Sequence, residues 1–221
     1  MKNFNVSQYY AGIRNFLILF ICNSDKRASI HPNGKRVSPA RRHGYGCAGS
    51  ASIVRAEPPA RESERMLSKT YGTVSAEQRK QMSGLEFVQG LANGTLPLNT
   101  IAKTLGYDIA EATAGRVVVT ANPDDTLLNP AGTVHGGFSA TLLDSCMGLA
   151  LQTTLEKGLA STTLEFKISL VRPITPETGP IRAEGVVLQR GRRVGTAEGR
   201  ITDANGKLLA HGTTTCLVFE G

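Results

Sequence analysis

"GGFSATLLDSCMGLALQTTL", residues 136–155, is the stretch that decides the fold of this chain. It is long enough for a helix of more than five turns, about 30 Å at 1.5 Å per residue. Apolar residues fall on nearly every face of that helix, which is typical of a helix enclosed by other structure. Its only charge is Asp144, and its hydroxyl and amide side chains make it too polar for a membrane span. We therefore predict a central helix with one carboxylate that requires a functional explanation.

Extended segments flank the predicted helix on both sides. Before it, "LGYDIAEATAGRVVVTANP" contains two such segments with a turn at Gly115. After it, "TLEFKISLV" alternates apolar and polar residues, which indicates a half-buried strand, and three weaker strands follow. Asn205-Gly206 is a strong hairpin signal between the last two. The order β-β-α-β-β-β-β predicts an α+β fold in which a curved antiparallel sheet wraps around one long central helix.

The N-terminal third differs from the rest in composition. Residues 1–82 carry 14 Lys/Arg against 5 Asp/Glu, whereas residues 83–221 carry 11 against 13, so the net charge of +7 does not indicate a nucleic-acid partner for the folded part. Residues 1–70 are predicted to be a disordered basic extension, or the true start lies downstream at Met66 or Met82. The folded domain is expected over residues 71–221, and its first helix between Ser75 and Gly94.

The cysteine pattern and the hydropathy of the chain indicate in which cellular compartment the protein is found. The four cysteines have no CxxC pair and no zinc-like spacing with the histidines, which is typical of a reduced cytoplasmic protein. The apolar run at residues 16–22 is too short to span a bilayer and lacks a signal-peptide cleavage site. We expect a cytoplasmic protein without a membrane partner, a metal or a redox cofactor.

Four stretches together resemble a known family. "NPAGTVHGG", "SATLLDSCMG", "TTLEFKISLVRPI" and the final hairpin resemble the hotdog-fold acyl-CoA thioesterases, and within them the phenylacetate-pathway (PaaI-type) family. The resemblance covers roughly residues 83–220, and its N…HGG…D motif has six residues from Asn129 to His135 and nine more to Asp144. It implies the hotdog fold and a hydrolase of acyl-CoA thioesters. It also implies a homodimer joined edge to edge, often paired into a homotetramer, and no cofactor beyond the CoA of the substrate.

The same resemblance implies roles for individual residues. Asp144 activates water or attacks the thioester, the Gly136 N–H polarises the carbonyl, Asn129 helps to position the nucleophile or substrate, and Thr162 holds the attacking water. The residues themselves support part of this, because Gly136 lies at a helix N-terminus, where free N–H groups favour negative charge. Asp144 is eight residues further along, about 12 Å away, so one carbonyl cannot reach both within one subunit. A second, antiparallel chain would bring them together in two equivalent sites.

Further candidates follow from position. His135 precedes the helix, which favours a supporting role through hydrogen bonds to the loop, with acid–base chemistry as the alternative. Asn129 is equally suited to a turn before Pro130. An apolar pocket is predicted from Phe138, Leu142, Met147 and Phe166, for aromatic or medium-chain acyl groups. The remaining candidate substrate-binding residues are Gly137 and Ser145 beside the motif, and Arg172, Arg190, Arg192 and Arg193, which suit CoA phosphates or only a solvated loop.

Two other functions stay open. A hydroxyacyl-thioester dehydratase on the same fold would use a histidine and a carboxylate to move protons. A non-catalytic acyl-CoA sensor would use the basic N-terminal arm, although residues 1–65 show no helix-turn-helix pattern. The buried charge of Asp144 favours hydrolysis, since a sensor gains nothing from it.

Overall fold

The computed structural model describes residues 69–221, so the predicted extension lies outside the described residues except for its last two positions. Lys69 is buried, and its ammonium group is paired with the carboxylate of Asp108. The backbone carbonyl of Thr70 accepts a hydrogen bond from the Leu98 N–H at 2.9 Å. The folded part therefore includes both residues, which the predicted boundary had assigned to the extension.

The sheet has six antiparallel strands in the order β1-β2-β4-β5-β6-β3. The helices are α1 (Ala76–Lys80), α2 (Gly84–Asn93), α3 (Thr100–Leu105) and α4 (Gly136–Gln152), and the strands are β1 (Tyr107–Thr113), β2 (Arg116–Ala121), β3 (Leu159–Leu170), β4 (Ile181–Arg190), β5 (Val194–Asp203) and β6 (Leu208–Glu220). The sheet wraps around α4, which confirms the α+β hotdog fold, and the strands and the central helix follow one another along the chain in the predicted order β-β-α-β-β-β-β. Within residues 69–221, no helix combines the length and apolar character needed to cross a membrane.

The predicted helix between Ser75 and Gly94 is wrong in one respect, because it is two helices. Ser75 caps α1 by accepting a hydrogen bond from the Gln78 N–H, and Ser83 caps α2 in a capping box with Glu86. The second cap starts a new helix, since a capping serine takes an extended backbone. Gly94 ends α2 in the left-handed conformation, as predicted. The short α3 was not predicted.

The central helix begins at Gly136 as predicted but ends at Gln152, three residues before the predicted Leu155. Thr153 and Thr154 lie at its end, and their hydroxyls donate to the carbonyls of Ala150 and Leu151 at 2.6 and 2.7 Å. Such local side-chain bonds offer the backbone an alternative to continued helix.

One side of α4 packs without a gap against β4 and β5. Its residues there are fully buried, and we call them the closed face: Leu143, Cys146, Met147 and Ala150. Gly185 of β4 lies directly against this face, and a Cβ atom added to it would overlap the carbonyl oxygen of Cys146. The helix backbone and the strand backbone are therefore as close as a missing side chain allows.

Strand β3 is an edge of the sheet and differs from the prediction of a half-buried strand. It pairs with β6 alone among the described strands. The exposed fractions of Leu164, Phe166 and Leu170 are 57%, 41% and 57%. Their apolar alternation predicts a covered face, but none of residues 69–221 of the same protomer covers it. A long apolar edge of this kind is a template for pairing with another chain.

Candidate active site

The loop before α4 is held by backbone bonds from both sides. The Val134 N–H donates to the Ile174 carbonyl, and the His135 N–H donates to the Leu127 carbonyl, each at 2.8 Å. His135 is the N-cap of α4, where its Nδ1 accepts the Gly137 N–H at 2.9 Å. This places His135 in the supporting position that its sequence context favoured. It also places Gly137 in the cap, where its N–H is already used.

The Gly136 N–H is the free donor at this helix end. None of the hydrogen bonds among residues 69–221 uses it. A Cβ atom added at Gly136 would lie 2.7 Å from Cδ1 of Leu170 on strand β3. The donor therefore lies beside the open edge of the sheet, at the N-terminus of a 17-residue helix, where developing negative charge is stabilised.

Asn129 organises the loop that leads to the helix. Its Oδ1 accepts the N–H groups of Ala131 and Thr133, at 2.9 and 3.3 Å, and its Nδ2 donates to the Thr133 hydroxyl at 2.9 Å. The structure thus shows the turn role, with the amide satisfied by the loop itself. Any effect on the reaction passes through the position of the loop.

Asp144 is half-buried and lies on the wall of a cavity of about 300 Å³. Its Oδ1 accepts a hydrogen bond from the Thr163 hydroxyl at 2.9 Å, and no other hydrogen bond to this carboxylate exists among the described residues. Oδ2 is thus left for a water molecule or a substrate carbon.

The hydroxyl that binds Asp144 belongs to Thr163, the neighbour of Thr162, for which the family resemblance implied a role in holding the attacking water. The apolar alternation of Leu164, Phe166 and Ile168 indicates that even-numbered residues face inward, which would include Thr162. A β-bulge between Thr163 and Glu165 shifts the register, so Thr163 pairs opposite the buried Cys216 while Phe166 pairs opposite the buried Thr214. One extra residue in a strand reverses which parity faces the helix. Thr162 lines the mouth of the same cavity but is exposed.

A stripe of α4 forms one wall of the cavity. We call it the cavity face: Asp144, Ser145, Gly148, Leu149 and Gln152. Other lining residues come from α1 and the following loop, α2, the N-cap of α3, the start of β3 and β6, and include Arg79, Lys80, Met82, Phe87, Asn99, Ser161 and Cys216. Ser145 was a predicted binding residue, and its hydroxyl lies 3.1 Å from that of Tyr107, which donates to Asn99 at 3.2 Å. This partly buried chain of hydrogen bonds positions the wall beside Asp144.

Several predicted pocket residues belong to the core instead. Phe138, Leu142 and Met147 are 3%, 0% and 0% exposed and pack in the main hydrophobic cluster, away from the cavity. The prediction that Phe138 contacts substrate is therefore wrong for the single protomer, because the sheet covers that side of the helix. Phe166 lies on the open β3 edge.

The four candidate arginines are divided between two ends of the domain. Arg172, just after β3, donates to the Leu208 carbonyl at 2.6 Å. Arg190 pairs with Glu156 at 2.9 Å and donates to the Gly191 carbonyl, so its guanidinium already has a partner. Arg192 and Arg193 are exposed at the β4–β5 turn, beside a shallow depression.

Neither described cysteine has the character of a nucleophile. Burial raises the pKa of the Cys146 thiol to about 12, as expected for a cysteine packed in the core. Burial also raises the pKa of Cys216, whose sulfur is 4.0 Å from the Thr163 hydroxyl. Among residues 69–221, no group of three or more His, Cys, Asp and Glu side chains is arranged to hold a metal ion.

Comparisons with known proteins agree with this architecture. The model of the thioesterase superfamily matches residues 131–210. A solved structure from Ralstonia eutropha, described as a thioesterase and phenylacetic acid degradation-related protein, is 32% identical, with a TM-score of 0.54 over 58% of this chain and 97% of that one. Human acyl-coenzyme A thioesterase 13 is 31% identical over 109 residues, 48% of this chain and 76% of the relative. A Halobacterium salinarum protein named as an esterase is 33% identical over 99 residues, 42% of this chain, and the chain spans 64% of its length.

Proposed function

Because this chain belongs to the thioesterase superfamily, whose members hydrolyse thioesters, we propose that it hydrolyses an acyl-CoA to the free acid and CoA. The main support for this proposal is the arrangement of α4. The helix places the Asp144 carboxylate, with one free oxygen, on the cavity wall and the unused N–H donor of Gly136 at its N-terminus. An attacking base and an oxyanion donor are the two parts that acyl transfer from a thioester requires.

The two parts lie too far apart to act on one carbonyl within one protomer. Eight residues separate Gly136 from Asp144, about 12 Å along the helix. A two-fold axis beside the β3 edge would place Asp144 of one protomer near Gly136 of its partner and would cover the apolar side chains of β3. We therefore propose a homodimer with two shared sites. Pairing of such dimers into tetramers is the further expectation.

The chemistry then follows from the donor and the base. The Asp144 carboxylate takes a proton from water while the water oxygen attacks the carbonyl carbon, or its own oxygen attacks and water hydrolyses the resulting anhydride. In both routes the C–S bond breaks, and the CoA thiolate leaves and takes up a proton. The partner's Gly136 N–H stabilises the oxyanion, an interaction worth about 3–4 kcal/mol in comparable sites.

Other residues around the site have supporting roles in this proposal. Thr163 orients the carboxylate, His135 holds the helix start, and Asn129 shapes the loop before it. Arg192 and Arg193 are the exposed cations that suit CoA phosphates, because a guanidinium binds phosphate oxygens in a planar fork. The proposed location is the cytoplasm.

The dehydratase alternative needs a histidine and a carboxylate at one substrate. His135 and Asp144 are nine residues apart in the chain, so, as for Gly136, only the Asp144 of a partner protomer would lie near His135. The Nδ1 of His135 is also occupied by the helix cap. Neither observation favours the dehydratase over hydrolysis.

The test measures thiol release from acyl-CoAs with a thiol-reactive dye. We expect Asp144→Asn to lose activity by a hundredfold or more while retaining its fold. Gly136→Pro removes the donor at the first helical position, where proline is tolerated, and the extended backbone of His135 suits a following proline. Gly136→Ala is the matched control, because it adds the same Cβ atom near Leu170 but keeps the N–H. Equal activity of the proline and alanine variants would contradict the role of the donor.

Mixed dimers test the shared site separately. A dimer of one Asp144→Asn protomer and one Gly136→Pro protomer contains one site with both native groups and one site with neither. We expect co-expressed, co-purified mixed dimers to recover up to half of the native activity. No recovery in confirmed mixed dimers would show that each site is built within a single protomer.

A further inference from the structure

The cavity face of α4 is a single stripe that runs away from Asp144. Its residues recur one turn apart, from Asp144 and Ser145 through Gly148 and Leu149 to Gln152. Asp144 and Gln152 are eight residues apart, about 12 Å, so the cavity has a reacting end and a far end. Its volume of about 300 Å³ is at the lower limit of small-molecule sites, which suits an acyl group and excludes the whole of CoA.

Gly148 is the middle of this stripe, and because it has no side chain it leaves space on the cavity wall one turn from Asp144. It lies opposite Thr163. A Cβ atom at Gly148 would lie 3.8 Å from the Thr163 hydroxyl oxygen, which is ordinary van der Waals contact. The fold therefore accepts alanine at this position, but each added carbon fills space that a bound acyl group would use.

The far end of the cavity is a hydrogen-bonded wall. Oε1 of Gln152 accepts both the hydroxyl and the N–H of Ser161, at 3.0 and 3.3 Å, which joins the end of α4 to the start of β3. The backbone of Gln152 is held in turn by α2. A Cβ atom at Gly84 would overlap the Gln152 carbonyl oxygen, and the Gly84 N–H donates to the Leu155 carbonyl at 2.8 Å.

We propose that Gly148 and the Gln152–Ser161 pair determine acyl-group selectivity: Gly148 admits the acyl chain past Asp144, and Gln152 limits its length. This inference rests on the proposed thioesterase function and assigns the acyl group to the cavity of the same protomer that provides Asp144. The two positions act in opposite directions, because substitution at Gly148 fills the path and substitution at Gln152 removes the wall.

The experiment compares kcat/KM for a series of straight-chain acyl-CoAs, from acetyl to lauroyl, in wild type, Gly148→Ala, Gly148→Val and Gln152→Ala. We expect the ratio of long-chain to short-chain activity to fall about tenfold for Gly148→Ala and further for Gly148→Val, since one methylene of fit changes rates by about tenfold or more. We expect the same ratio to rise about tenfold for Gln152→Ala. Gln89→Ala is the matched control, because Gln89 also joins a helix to a strand, through the Ala112 carbonyl, but lies outside the cavity.

Ratios separate selectivity from damage to the catalytic machinery. A uniform loss for all chain lengths, or unchanged ratios in the Gly148 and Gln152 variants, overturns the proposal, as does an equal shift in Gln89→Ala. A wild-type protein that hydrolyses no acyl-CoA overturns the proposed function instead. Thermal unfolding of Gly148→Ala at or above the wild-type temperature excludes misfolding as the cause of its shift.

Discussion

The closed face and the cavity face belong to the same helix but are built in different ways. Leu143, Cys146, Met147 and Ala150 are fully buried against strands whose glycines bring the backbones together. The cavity face carries Asp144, Ser145 and Gln152, with hydroxyl or amide partners on β1 and β3. The difference shows how one helix combines rigidity and chemistry: about two turns of it are packed against the sheet on one side, and polar groups on the other side face the cavity.

The largest expected effect contrasts two glycines, one opposite each face. Gly185→Ala would force a Cβ atom into the Cys146 carbonyl, and we expect a loss of about 3 kcal/mol in the free energy of unfolding. Gly148→Ala meets only ordinary contact and should gain up to about 1 kcal/mol from helix propensity. Urea unfolding measures both. Similar stabilities for the two variants would contradict the distinction between the faces.

The open edge beside the cavity face provides the next contrast. Phe166 on β3 and Phe219 on β6 are equally exposed, at 41% and 42%, but Phe166 lies on the inner side of the open edge and Phe219 on the outer face. We expect Phe166→Asp to weaken dimerisation by about 2 kcal/mol, the value of burying a phenylalanine side chain. Phe219→Asp should leave the dimer intact. Sedimentation velocity over a dilution series distinguishes them, and dimers of equal strength would rule out the β3 edge as the interface.

A smaller effect tests the two neighbouring threonines. Thr163→Val removes the hydroxyl bonded to Asp144 with little change in volume, and we expect about a tenfold decrease in kcat, or about 1.4 kcal/mol. Thr162→Val, at the exposed neighbouring position, should change kcat less than threefold, within about 0.6 kcal/mol. Steady-state kinetics with one acyl-CoA is sufficient. The opposite ranking would restore the role that the family resemblance implied for Thr162.

The smallest effect concerns a cluster of charged side chains on β1, β2 and β4. Glu111 of β1 pairs there with Arg116 of β2 and Arg182 of β4, each at 2.8 Å. The hydrogen bond from Arg182, followed by the one from Arg116, lowers the pKa of Glu111 from its ordinary value. A carboxyl with a lowered folded-state pKa contributes stability above its unfolded pKa and loses it as the pH falls through the folded value. Because these side chains are partly exposed, Glu111→Gln should cost at most about 1 kcal/mol at neutral pH and nothing in strong acid. Urea unfolding at pH 7 and pH 3 checks this, and an equal cost at both would contradict it.

The sequence was sufficient for the features that depend on local periodicity. The start of α4, the succession of strands along the chain and the hairpin at Asn205-Gly206 were predicted because each is determined by residues close together in the chain. The identity of the Asp144 partner was not, because the β-bulge at Thr163 reverses strand parity without a distinct sequence signal. Phe138 was assigned to substrate because an all-round apolar helix does not reveal which side the sheet covers. The exposure of Phe166 was missed because alternation predicts a covered face but not which molecule covers it.

The unpaired edge of β3 has a consequence for how the activity should depend on dilution. If each reaction needs a base from one protomer and an oxyanion donor from another, the activity per chain is proportional to the fraction of chains that are in dimers. It therefore falls when the protein is diluted. Progress curves started from a concentrated stock would slow down with time at low protein concentration, as protomers separate. The activity would recover when inactive Asp144→Asn protein is added, because each native protomer would regain a partner that supplies the Gly136 N–H. The total rate of hydrolysis would then rise more steeply than in direct proportion to the number of protein chains.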